Sequence, residues 1–289
     1  MNDLDEITAM LAKPEPSAAA AGRSRARLLR RTRSRSRTRW FVPGAALVAG
    51  AAAAVVFATG VPTGDGVPYA TQTVSGKDVL LMAAASAERT PQGSGTYWHV
   101  TTRYADDEIP PIETWTRRDG KRWTRNEPGD APGEIVASWK TLRLKGAEVS
   151  FEELDRLPTD PAALTAWIVA RKGDKADMAT SEQQGDPTFP LLTLITELPT
   201  PSAVRSAAFE ALAATPGVEN KGAVDGGQHL TLPDPDGGTT PIELVVDPDT
   251  ARVVQANVVL GGAGDLAWSD EYISVSTEWT DQRPPVKKS

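Results

Sequence analysis

The sequence predicts an α+β domain with a mostly antiparallel sheet, set behind one N-terminal transmembrane helix. Three observations lead there. A charge-free stretch of 25 residues, 40–64, divides a basic head from an acidic body. Asp119-Gly120 sits between two strand-like runs near the start of that body. Helices opened by prolines then separate this strand block from a second one.

At 289 residues the chain has room for one large domain or two small ones. With 40% hydrophobic and 24% charged residues, it is neither wholly disordered nor fibrous. The absence of cysteine excludes disulfides, thiolate metal sites and cysteine nucleophiles. Two histidines, His99 and His229, leave little for a zinc site or a proton shuttle. The net charge of −7 hides an asymmetry, because residues 1–39 carry ten basic and four acidic side chains.

Within that head, Leu4, Ile7, Met10 and Leu11 fall on one helical face, with acids before them and Lys13 after. They are a candidate docking face for a cytoplasmic partner. Nine arginines from Arg23 to Arg39 follow. No aromatic residues interleave them, so nucleic acid is not the expected partner. Anionic lipid headgroups are, at about 1 kcal/mol per basic residue.

Trp40–Val61 then supplies 22 residues whose one hydroxyl is Thr59. At a rise of 1.5 Å per residue this is long enough to cross a hydrocarbon core. Its eight Leu, Phe and Val residues favour insertion by about −2 to −5 kcal/mol in total. Basic residues precede the span, and none follows until Lys77. The expectation is therefore a cytoplasmic tail (1–39), a signal-anchor span in the plasma membrane (40–61), a linker (62–76) and an extracytoplasmic domain (77–289).

In the domain, Lys77–Arg89 reads as a helix with Val79, Leu80, Met82 and Ala83 inward. Residues 96–104 alternate as a strand, with Trp98 and Val100 on one face and Tyr97 and His99 on the other. A two-residue type I′ turn at Asp119-Gly120 would place Thr116 opposite Trp123, so Trp115 and Trp123 should face opposite sides. Trp98, Trp115 and Trp123 are the candidate core or cavity aromatics. Arg117, Arg118, Lys121, Arg122 and Arg125 place five cations on this hairpin in an acidic domain, a candidate surface for phospholipid headgroups or an acidic envelope polymer. Thr159-Asp160-Pro161 and Thr200-Pro201 each announce a helix, with a third apolar helix between them. Strands follow at about 218–224, 228–232, 241–246, 252–260 and 272–280.

No nucleophile, phosphate-loop or metal-ligand pattern occurs, so no catalytic, cofactor or metal residue is assigned. Asp234, Asp236 and Gly237 mimic the start of a calcium loop, but its twelfth position is Val245.

The segments Leu157-Pro158-Thr159-Asp160-Pro161-Ala162-Ala163-Leu164, Val204-Arg205-Ser206-Ala207-Ala208-Phe209-Glu210-Ala211-Leu212-Ala213, Pro216-Gly217-Val218 and Val246-Asp247-Pro248-Asp249-Thr250 resemble those of a family of actinobacterial single-pass membrane proteins. The resemblance implies a cytoplasmic tail, one span and an exported domain, often in association with extracytoplasmic-function sigma factors. The order of helices and strands is also similar to the half-barrel fold of periplasmic lipoprotein carriers and sigma-regulatory sensors. Together these imply a non-enzymatic sensing or binding domain that regulates a sigma factor through the tail. The alternative is an anchored lipid- or polymer-binding module without a signalling role.

Overall fold

The computed structural model describes residues 74–106, 108–138, 140–260 and 266–285. The docking face Leu4, Ile7, Met10 and Leu11, the belt Arg23–Arg39 and the span 40–61 lie outside the described residues. Among the described residues, no helix is long and apolar enough to cross a membrane.

The domain opens with α1 (Gly76–Arg89). Ser75 caps it: its Oγ accepts the Asp78 N–H at 3.2 Å while the Asp78 carboxylate takes the Ser75 N–H in return. This helix thus starts within the expected linker, one residue before Lys77. Val79, Leu80, Ala83, Ala84 and Ala87 form the buried stripe. Met82 is 42% exposed, contrary to expectation. At about 100° per residue it falls roughly 60° outside that stripe. A Cβ on Gly76 would lie 2.8 Å from the Glu219 backbone, so glycine lets the helix start sit directly on a strand end.

Two strand blocks combine into one sheet. The first block is β1 (Tyr97–Arg103), β2 (Ile112–Arg117), β3 (Arg122–Arg125) and β4 (Ile135–Ser138). The second is β7 (Glu219–Val224), β8 (Gly227–Leu232), β9 (Ile242–Asp247), β10 (Arg252–Leu260) and the long β11 (Leu266–Thr280). The strand order is β4-β3-β2-β1-β11-β10-β9-β8-β7, and every neighbouring pair is antiparallel. The blocks join through β1 and β11, with Trp98 opposite Trp279. A two-stranded ribbon, β5 (Arg143–Leu144) with β6 (Ala147–Glu148), stands apart.

Six α-helices are described where three to four were expected. The additions are the five-residue α2 (Phe151–Asp155) and α4 (Thr180–Gln184), too short to show a periodic pattern. α3 (Pro161–Ala170) starts as its sequence announces, the Asp160 carboxylate accepting the Ala163 N–H at 2.8 Å. α5 (Thr188–Thr196) is buried along nearly its whole length. α6 (Ser202–Ala213) differs from α3 in its cap: Pro201 itself takes the cap position and offers no side-chain acceptor. In Thr200-Pro201 the hydroxyl residue therefore stands one place too early to cap.

α6 packs against α1, α3 and α5, while α1 and α5 meet the sheet. Phe189, Phe209, Leu80, Leu212, Leu230, Leu232 and Leu244 fill the space between helices and sheet, so one sheet face is core. At about 1.5–3 kcal/mol for each large apolar side chain removed from water, this face dominates the stability of the domain.

The β2–β3 hairpin departs from the expected register. Trp115 pairs with Trp123, and Thr116 pairs with Arg122. Three residues, Arg118, Asp119 and Gly120, make the loop, and of these only Gly120 has a positive φ (86°). The Gly120 N–H bonds to the Arg117 carbonyl at 2.8 Å, and the Arg117 N–H bonds to the Lys121 carbonyl at 2.8 Å. This is a type I turn closed by a glycine bulge rather than a type I′ turn. The extra loop residue puts both tryptophans on the same face.

Candidate functional site

A cleft of about 300 Å³ opens where the β2–β3 turn meets the β6–α2 corner. Leu142, Val149 and Phe151 form its apolar wall, and Thr116, Thr141 and Ser150 contribute hydroxyls. α2 exists to hold Phe151 there. Ser150 and Glu153 cap it reciprocally, the Glu153 N–H reaching Ser150 Oγ at 3.1 Å and Glu153 Oε2 accepting the Ser150 N–H at 3.0 Å.

Aromatic contacts tie this wall to the core. Trp98 meets Trp279 edge-on at 5.4 Å between centroids, and Trp279 meets Phe151 at 5.6 Å. Trp98 Nε1 donates to the Glu197 carbonyl at 2.7 Å, which satisfies the one polar atom of a buried indole. The Arg118 guanidinium lies 4.4 Å above the Trp279 ring and 5.7 Å from that of Phe151, so it is held as a cation over an aromatic face. Its carboxylate neighbour Asp155 is 3.9 Å away, and both are more than half exposed. Glu148 and Glu153 also line the cleft. The Ser150 N–H and Arg171 hold the Glu153 carboxyl below its usual range.

Alternation along the strands separates the five hairpin cations. Arg118 faces the cleft. Arg122 is buried on the helix-bearing face, 3.4 Å from Glu127, and burial lowers its pKa. Arg117 pairs with Asp119, whose carboxyl that hydrogen bond lowers to about 2. Lys121 lies 5.1 Å over Trp123, and Arg125 pairs with Glu113. No single face gathers all five.

The tryptophans separate likewise, and only Trp98 belongs to the main core. Trp115 is buried on the far face, stacked on His99 at 4.7 Å with planes 8° apart, and Trp123 packs edge-on against Tyr97 at 5.8 Å. His99 stands between Glu113 (3.3 Å) and Glu278 (3.4 Å). Its pKa is nevertheless lowered, because burial outweighs the attraction of Glu278. His229 accompanies Tyr272, whose hydroxyl donates to Glu243 at 3.0 Å. Burial and that carboxylate push the tyrosine up to about 12. Both histidines thus sit in hydrogen-bonded clusters away from the cleft. Asp234 closes its own turn, accepting the Asp236 and Gly238 N–H groups at 2.9 and 3.0 Å, and among the described residues no acidic or histidine group could hold a metal ion.

Phe151 and Trp279 were not among the expected site residues. The Ser150-x-x-Glu153 capping box was visible in the sequence and would have placed Phe151 at a helix start. Nothing local marks Trp279, which is brought behind Arg118 and Phe151 by the pairing of β11 with β1. Comparison of the chain with known protein families, curated proteins and solved structures gives no match.

Proposed function

We propose that this chain is a single-pass membrane protein whose domain outside the cytoplasm binds a ligand in the β2–β3 cleft without turning it over. Residues 1–39 report that binding to a cytoplasmic partner, with a sigma factor the partner that the sequence resemblance suggests. The cleft is the observation that carries the reading. It combines an apolar wall (Leu142, Val149, Phe151) with a cation, Arg118, held over Trp279 and the carboxylates of Asp119, Glu148 and Glu153. Such lining suits a small amphiphile or peptide better than a polyanion, and about 300 Å³ is at the low end for small-molecule sites.

Two measurements test it. The chain has no cysteine, so single cysteines can be introduced without background. A membrane-impermeant maleimide should label Asp225→Cys on intact cells and Ala20→Cys only after lysis; the reverse pattern discards the topology. Native mass spectrometry of the full chain with decanoate should show a one-to-one adduct that is weakened at least tenfold by Arg118→Gln, and no adduct discards the amphiphile reading. The apolar wall also fits an anchored carrier without signalling. Recovery of a sigma factor by the full chain, lost on Leu11→Asp, separates the signalling version from that second one.

A further inference from the structure

Arg205 is 8% exposed at the fourth position of α6, and its Nε, sealed from solvent, has no hydrogen-bond partner. Among the described residues, the one charge that bears on it is another cation, Arg252, which together with burial lowers its pKa. A buried guanidinium without an anion costs several kcal/mol, and a second positive charge nearby adds to that cost. Arg252 is itself held in place, donating from Nη1 to the Thr277 carbonyl at 3.1 Å.

The helix end beside Arg205 is also short of acceptors. Its first helical hydrogen bond runs from the Arg205 N–H to the Pro201 carbonyl at 2.9 Å, which leaves the Ser202, Ala203 and Val204 N–H groups ahead of it. Pro201 supplies no side-chain cap. Long side chains on a helix lean back over the preceding turn, so Arg205 is directed toward this same end. Thr200, fully buried just before it, has an Oγ1 with no partner. Two cations and the positive end of a twelve-residue helix favour an anionic ligand.

We propose that the first turn of α6, with Arg205 and Arg252, is a phosphate-binding site. The guanidinium of Arg205 donates to two phosphate oxygens side by side, the α6 N–H groups donate to a third, and Arg252 closes the outer side. The site is separate from the cleft and does not depend on it. The phosphate is either a free ion or the phosphodiester of an anionic lipid headgroup.

The test uses the full chain in phosphatidylcholine nanodiscs, at constant ionic strength. Saturating inorganic phosphate, exchanged for chloride, should raise the melting temperature by about 5 °C. If the natural source is lipid, discs containing phosphatidylglycerol should give that rise without added phosphate. Arg205→Met removes the response to either source while keeping side-chain volume, and Arg252→Gln, at an exposed position, halves it or more. A wild-type chain indifferent to both sources overturns the proposal, as does an unchanged response in Arg205→Met.

Discussion

Lys145 combines a left-handed backbone (φ 52°) with a buried ammonium, and its Nζ accounts for both. It donates to the Ile168 and Val169 carbonyls at 2.8 Å each, the orphan acceptors at the end of α3. Burial lowers its pKa, while Glu182 acts in the opposite direction. Lys145→Met should cost about 2 kcal/mol in denaturant unfolding, because two charged hydrogen bonds are lost and two carbonyls stay buried. Glu182 has the opposite character. Burial raises its pKa, although its Oε2 accepts the Ala179 N–H at 2.7 Å. The folded form therefore binds its proton more tightly than the unfolded form does, and stability falls as pH rises through the interval between the two pKa values. Glu182→Gln keeps an acceptor and loses the charge. Its melting temperature relative to wild type should climb between pH 4 and pH 7, by about 3 °C at most; an unchanged difference would refute the assignment. At this scale local signals were legible: Ser75 with Asp78 and Asp160 with Pro161 announce their helices. Lys145 was not, because the carbonyls it serves are more than twenty residues away.

Among the elements, the β2–β3 hairpin shows where local reading stops. Asp-Gly fits both a two-residue I′ turn and the last two places of a three-residue loop. The choice falls to partners outside the turn. Trp115 and Trp123 gain contact with His99 and Tyr97 only when they share a face, and the Asp119 carboxylate accepts the Lys121 N–H at 3.1 Å. Deleting Arg118 leaves Asp119-Gly120 as a two-residue loop between the same pair, Arg117 and Lys121. The shortened hairpin should keep its register, retain the near-ultraviolet signal of Trp115 and Trp123 and melt within about 3 °C of wild type. Loss of that signal would mean that the bulge is obligatory. The second strand block was more legible, since its turns recur at DGG, DPDGG and DPDT between strongly apolar runs. β4 and β5–β6 escaped because two to four residues carry too little alternation to register.

Across the whole domain, the two strand blocks meet through a single seam, β1 against β11. Thr96 Oγ1 bonds to the Asp281 carboxylate at 2.7 Å across 185 residues of chain. Trp279 supplies both core contact at that seam and the ring beneath Arg118. A chain ended after Asp270 should therefore lose cooperative unfolding and near-ultraviolet ellipticity together, although every helix is still present; a retained sharp transition would show that the first block is dispensable to the core. The α+β class and the antiparallel character could be read from runs of residues. The seam could not, because it depends on pairing between distant segments whose patterns fit many partners.

That seam fixes an order of events during synthesis. β1 to β4 leave the ribosome early, with the free edge of β1 unmatched and able to pair with any extended polypeptide nearby. They stay in that state until residues 274–280 of β11 have been joined. A nonsense codon just ahead of β11 would consequently be as damaging as one ahead of β7, and a holding chaperone would be needed through the whole interval between the two blocks.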